Sequence, residues 1–93
     1  MAVRCTAIRM SHGGYHHEHI THIAWVEDGT SKPGVNTRAD MVAFVERGGQ
    51  GYVRDNDGDV AFLRVRVSAA GNKYVQTQAD GIWKDNLLAL PRF

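Results

Sequence analysis

The chain of 93 residues has a single cysteine, two prolines and almost no charge imbalance, with a formal net charge of +1. Each shortage excludes something. A lone Cys5 cannot close an internal disulfide, so the chain reads as a cytoplasmic protein held together by packing alone. Near-neutral charge argues against a general nucleic-acid or membrane-surface binder, and any basic recognition surface has to be local. No apolar run approaches the roughly 20 residues that cross a bilayer. Residues 1–10 mix charged and apolar types where a signal peptide would carry its apolar core. Also missing are a phosphate-cradling G-x-x-x-x-G-K loop, a helical H-E-x-x-H pair and a nucleophile context around Ser11 or Ser68. What remains is ordinary: 43% apolar and 23% charged residues, the composition of a globular domain. Residues 1–93 read as one domain, and a chain of this size buries about 60–65% of its unfolded surface.

What the chain does have is a concentration of histidine. All five histidines lie between His12 and His22, in the run His12-Gly13-Gly14-Tyr15-His16-His17-Glu18-His19-Ile20-Thr21-His22. Imidazole titrates near physiological pH and is the commonest protein ligand of transition metals. If His17 and His19 begin a strand, they project to one face, and His12 from the preceding loop completes a three-ligand set. Three protein ligands and a water are an open zinc-type site. His16 or Glu18 is an alternative third ligand. Against this stands the absence of any cysteine pair, and an ordinary solvated loop uses the same residues without a metal.

The remainder of the chain reads as short elements separated by turn signals. Val3 to Met10 is a β-forming run, and Ser11-His12-Gly13-Gly14 turns it toward a second strand, His19 to Val26. Glu27 to Asn36, with Asp28-Gly29 and Pro33-Gly34, reads as an irregular connection. Thr37 is a helix cap with Asp40 in the first turn. Met41, Val42, Phe44 and Val45 form the apolar stripe, and Gly48-Gly49 ends the helix. Gly51 to Arg54 and Val60 to Val67 then make a hairpin around Asp55-Asn56-Asp57-Gly58-Asp59. That turn resembles a calcium loop only superficially, because the glycine and glutamate which an EF-hand requires are replaced by Val60 and Arg66. A last strand runs from Lys73 to Thr77. The apolar tail from Ile82 packs across the sheet, with one helical turn started by Asp85 or Asn86. The fold predicted is α+β, in the order β-β-α-β-β-β, with one helix on one face of a mostly antiparallel sheet.

Alternation in Val60–Val67 puts Ala61, Leu63, Val65 and Val67 on one face and Phe62, Arg64 and Arg66 on the other. An aromatic ring between guanidinium groups, with Lys73 brought near by the next strand, is a pattern that binds single-stranded nucleic acid. It is also the ordinary pattern of a solvated face. Trp25, Trp83, Tyr74 and Phe93 are expected in the core or at its edge. Cys5 inside a strand is read as a small buried hydrophobe, and no catalytic constellation emerges.

The chain resembles a family of small bacterial and phage proteins known only as a domain of unknown function, number three-eight-nine-two. The resemblance rests on Met1-Ala2-Val3, Glu18-His19-Ile20-Thr21-His22-Ile23-Ala24-Trp25, Thr37-Arg38, Gly49, Tyr52-Val53-Arg54-Asp55 and Lys73-Tyr74-Val75-Gln76-Thr77. Its most distinctive part is the tail Ala79-Asp80-Gly81-Ile82-Trp83-Lys84-Asp85-Asn86-Leu87-Leu88-Ala89-Leu90-Pro91. It covers nearly the whole chain and implies a bacterial or phage origin, but it assigns no activity, cofactor or catalytic residue. Small proteins of that kind often bind a host component.

The function expected is therefore a non-enzymatic interaction module with a protein partner, docking through the open sheet face or the histidine loop. The alternatives are a zinc protein using His12, His17 and His19, and a single-strand nucleic-acid binder using Phe62, Arg64 and Arg66. One helix cannot cover both faces of such a sheet. The other face is solvated, covered by the tail or covered by a second copy in a homodimer.

Overall fold

The computed structural model describes residues 2–93. Its elements are β1 (Ala2–Met10), β2 (Ile20–Glu27), β3 (Pro33–Thr37), α1 (Arg38–Glu46), β4 (Gln50–Arg54), β5 (Val60–Val67), β6 (Lys73–Ala79) and β7 (Ile82–Lys84). A single 3₁₀ turn, His17–His19, precedes β2. All seven strands form one sheet in the order β3-β2-β1-β4-β5-β6-β7. β1 and β4 run parallel, and every other pairing is antiparallel. The chain is thus mostly sheet with one helix, which the α+β label fits only roughly. Among the described residues no helix is long and apolar enough to cross a membrane.

Two strands depart from the predicted order. Pro33–Thr37 is β3 and not an irregular connection. It is an edge strand, where proline costs no ladder hydrogen bond on its solvent side. Gly34 is needed there, because a Cβ at that position would lie 2.3 Å from Cζ2 of Trp25, whose indole crosses it. Ile82–Lys84 is β7, a short strand joined to β6 by a turn in which Asp80 and Gly81 both have positive φ.

β1 is the hub of the sheet. Its inward side chains Val3, Cys5 and Ile8 would fall out of phase with strict alternation. A bulge at Thr6 restores it, so that Cys5 faces Trp25 and Ile8 faces Ile23. A second irregularity at Thr21 does the same for Ile20 opposite Met10. β4 pairs only with Ala2–Arg4, leaving the far half of the β1 edge open. The C-terminal tail fills it: the Ile8 N–H donates to Pro91 O (2.9 Å) and the Phe93 N–H donates to Ile8 O (3.0 Å). The chain leaving β7 therefore returns to β1, and the sheet must curl for this to happen.

The predicted tail starts at Ile82, and only the part beyond β7 packs on the core. The N–H groups of Leu88, Ala89 and Leu90 donate to the carbonyls of Asp85, Asn86 and Leu87, a run of tight turns that drives Leu87 wholly into the core. Ile8, Ile20, Ile23, Met41, Val53, Leu63, Val75 and Leu87 are the main mass of that core. Each such side chain contributes on the order of 1.5–3 kcal/mol of burial.

α1 covers the inward side of the sheet and touches strands from β2 to β6. The Asp40 N–H donates to Thr37 Oγ1 (3.1 Å), the predicted cap. Met41 and Val42 are buried, with Phe44 and Val45 half-buried beside them. At the other end Gly48 takes a φ of +91° and donates to Val45 O, while Gly49 donates to Phe44 O. This is the Schellman arrangement that a glycine pair permits. Because both α1 and the tail lie on the inward side, the outward face of β4–β7 is left open.

Candidate functional site: a histidine turn and an arginine face

The structure places the two predicted sites in quite different settings. His17 and His19 do not begin a strand. They belong to the 3₁₀ turn, so two-residue alternation does not apply and the predicted facing pair of imidazoles does not form. The turn is closed internally: the His19 N–H donates to His16 O (2.9 Å) and the His16 N–H donates to Nδ1 of His19 (3.2 Å). Ser11 N–H to His19 O and an Arg38 guanidinium contact on Glu18 O fasten it to the rest of the fold. His12 lies exposed in the preceding turn, and His22 sits half-buried in β2 with Nδ1 3.0 Å from Thr21 Oγ1. Among the described residues His12, His17 and His19 do not bring three ligand atoms within 4.8 Å of one another.

His17 is the unusual member. It is buried against the unpaired end of β6, and its Nε2 has no hydrogen-bond partner. Burial holds its pKa below the ordinary 6.5, opposed by the carboxylate of Asp85 and reinforced by Arg66 and His16. A neutral ring in that position packs as a flat, half-apolar plug.

Among the described residues the only trio of potential ligands that does converge is Asp55, Asp57 and Asp59, all exposed. Their geometry has a local reason. Asp55 Oδ1 accepts the N–H groups of both Asp57 and Asp59 at 2.9 Å, which is how an aspartate organises a tight turn.

The outward face of β4–β7 is richer than the sequence pattern indicated. Register sets Arg4 of β1 opposite Tyr52, Tyr52 opposite Phe62, Phe62 opposite Gln78 and Gln78 opposite Trp83. Residues directly opposite one another share a face. Arg54, Arg64 and Arg66 occupy further outward positions of β4 and β5. Tyr74 of β6 lies opposite Arg66, so four arginines and four aromatic rings share one surface, and none of the outward strand positions of β4–β7 carries an acidic residue. Lys73 is not among them. It faces inward and bonds Glu46 of α1 at 2.7 Å, the one salt bridge among the described residues.

This surface is ordered by its own contacts. The Arg66 guanidinium lies 4.3 Å over the Trp83 ring and donates to Gln76 Oε1 at 2.9 Å, while Gln76 Nε2 donates to Lys84 O. Arg54 lies 5.9 Å over Tyr52. The Tyr52 hydroxyl donates to both carboxylate oxygens of Asp28 (2.7 and 2.9 Å), and that bond holds its pKa above the ordinary 10. Phe62 and Trp83 remain 37% and 39% exposed, so Trp83, expected near the core, is a surface residue. Phe93 is also largely exposed, and Val67 escapes the inward row as β5 runs past the core. The sequence pattern does not single out Arg4, Tyr52 and Arg54, and it puts Trp83 in the core or at its edge, because only pairing register assembles these four beside Phe62, Arg64 and Arg66.

Cys5 lies opposite Trp25, not opposite a histidine. Burial pushes its thiol up to about 12, so the thiolate that nucleophilic chemistry requires is not present at neutral pH.

No curated protein and no solved structure matches the chain. A family model described as a protein of unknown function, DUF3892, matches residues 4–91, and the chain belongs to that family.

Proposed function

We infer that this chain is a non-enzymatic binding module, and that the outward face of β4–β7 docks an acidic segment of a protein partner. The observation that carries this reading is the array of Arg4, Arg54, Arg64 and Arg66 around Phe62 and Trp83, on the one sheet face that neither α1 nor the tail covers. Guanidinium groups steadied against rings and amides are preorganised forks for carboxylates, and exposed aromatic edges add apolar contact area. The reading is that of a small cytoplasmic protein of bacterial or phage origin whose partner is a host or self-encoded protein.

A nucleic-acid strand is the second reading, favoured by the exposure of Phe62 and Trp83 in one row. Two features weigh toward the peptide. One face of Trp83 is occupied by Arg66, and Tyr52 is buried and bonded to Asp28, so few rings present a free face for a base.

Fluorescence anisotropy with a labelled glutamate-rich peptide and a labelled oligothymidine tests the choice. Saturable peptide binding that weakens at least about fivefold in Arg64→Ala plus Arg66→Ala, and falls with added salt, supports the proposal. Tighter binding of the oligothymidine would replace it with the nucleic-acid reading. Binding of neither probe would remove the outward face as a docking surface.

A further inference from the structure

The outward face of β4–β7 carries a spacing that selects the conformation of a docked segment. Register places Tyr52, Phe62, Gln78 and Trp83 in one row that crosses β4, β5, β6 and β7. Tyr52 is buried, with its ring 6.0 Å from that of Phe62. Phe62 and Trp83 are the exposed rings of the row, and the half-buried Gln78 stands between them. These two rings belong to strands two apart in the sheet, so their positions are about 9.6 Å from one another at the usual strand separation.

That distance discriminates between chain conformations. A β-segment presents the same side about every 6.7 Å, and an α-helix presents its next anchor one turn on, about 5.4 Å away. Polyproline II has three residues per turn and rises about 3.1 Å per residue, so residues i and i+3 face one way about 9.3 Å apart. Of the three, polyproline II matches the two rings. It also suits the amide between them, because its carbonyls have no internal hydrogen bonds and Gln78 can donate to one. A pyrrolidine ring needs only one side of an aromatic ring, which Phe62 keeps beyond Tyr52 and Trp83 keeps beyond Arg66. Phe62 and Gln78 further line an open groove of about 580 Å³ that reaches Gly81 and Lys84, so the row borders a recess.

Charge constrains the residues between the anchors. Arg64 and Arg66 follow Phe62 along β5 on one side of the row, and the turns that hold Asp55, Asp59 and Asp80 close the other. Arg54, on the aspartate side, lies over the Tyr52 ring. A polyproline II segment along the row turns one of its two intervening positions toward each flank. We propose, on the reading of this face as a docking surface, that the partner's segment is a proline repeat of period three in polyproline II conformation. Its prolines seat on Phe62 and Trp83, and each turn carries an acidic residue on the side of Arg64 and Arg66 and none on the aspartate side. Preformed polyproline II loses little conformational entropy on docking, which suits a surface with two small apolar anchors.

Fluorescence anisotropy with a labelled peptide of three proline-glutamate-serine repeats tests this against the same peptide with every proline replaced by alanine. Net charge and length are equal, so the difference reads the prolines. The expected result is saturable binding of the proline peptide, at least about tenfold tighter than that of the alanine peptide. Phe62→Ala removes this preference, and Gln78→Ala weakens the proline peptide about threefold. A cooperative urea transition shows that each variant is folded, and Gln78→Ala carries the comparison should Phe62→Ala not fold. Equal affinity for the two peptides, or a preference unchanged in both variants, overturns the polyproline segment and leaves acidic docking standing. Binding of the glutamate-rich peptide without binding of the proline peptide does the same. If none of these peptides binds, the docking surface falls and the polyproline segment with it.

Discussion

In the turn before β2, one histidine ring nitrogen closes a 3₁₀ turn, and the ring of His17 plugs the unpaired end of β6 without gaining a hydrogen bond. On the outward face of β4–β7, Arg64 and Arg66 come from one strand and are joined across the sheet by Arg4, Arg54, Phe62 and Trp83. The first region gathers ionisable groups that are close in sequence and uses them locally for structure. The second gathers groups that are far apart in sequence and leaves them facing solvent. Local density of reactive residue types is thus a weaker guide to which charged groups share an exposed face than the register that brings distant strands together.

That contrast can be broken by experiment, beginning with the side of the molecule held to be structural. Leu87→Ala, in the tail that returns to β1, is expected to cost about 2–5 kcal/mol, read from urea unfolding. A loss under about 1 kcal/mol would mean that the tail does not close the core. Thr37→Ala removes the acceptor for the Asp40 N–H and is expected to cost about 1 kcal/mol in the same assay.

His17 gives a pH dependence whose direction follows from its depressed pKa. The unfolded chain takes up this proton at higher pH than the folded one does, so the folded state has its full stability above the ordinary value of 6.5. Stability then falls as the pH drops through 6.5, and the loss is complete below the folded-state value. The charged groups facing the ring are Asp85, Arg66 and His16. His17→Leu should flatten this part of the curve and remove the orphan nitrogen with little loss at neutral pH. An unchanged slope in the variant would place the acid sensitivity elsewhere.

Arg64→Ala sharpens the other half of the comparison. Its guanidinium reaches only the neighbouring Leu63 carbonyl, so stability should change by less than about 0.5 kcal/mol while peptide affinity falls. The smallest effect expected is that of zinc. Equimolar metal should leave the melting temperature within about 1 °C, because His12, His17 and His19 do not converge. A saturable rise of several degrees, lost in His17→Leu, would restore the histidine turn as a metal site.

Much of this fold is legible from local chemistry. Thr37 with Asp40 announces the helix, Gly48-Gly49 its end, and strict alternation in β5 sorts Leu63 from Arg64. Edge and non-local features are less legible. Pro33-Gly34 carries a strong turn signal, and only the indole of Trp25 lying across Gly34 explains why a strand runs there. Ile82–Lys84 is short and none of its residues is buried, so it has no buried alternation to betray it. The bulge at Thr6 and the parallel β1–β4 pair depend on partners about twenty to fifty residues away. The arginine face was half visible for the same reason: its β5 members share a strand, and its other members meet them only through the sheet.

The return of the tail to β1 also has a kinetic side. Ile8 exchanges backbone hydrogen bonds with Pro91 and Phe93, across nearly the full length of the chain. A folding chain can pair β1 with β2 early, but the edge of β1 is complete only once Pro91 and Phe93 have docked on Ile8. Such long-range closure slows folding toward the millisecond-to-second range of sheet proteins. Until then Ile8 and the core it seals stay open to other strands, so the docking of Pro91 and Phe93 sets the length of time for which the chain is prone to mispairing.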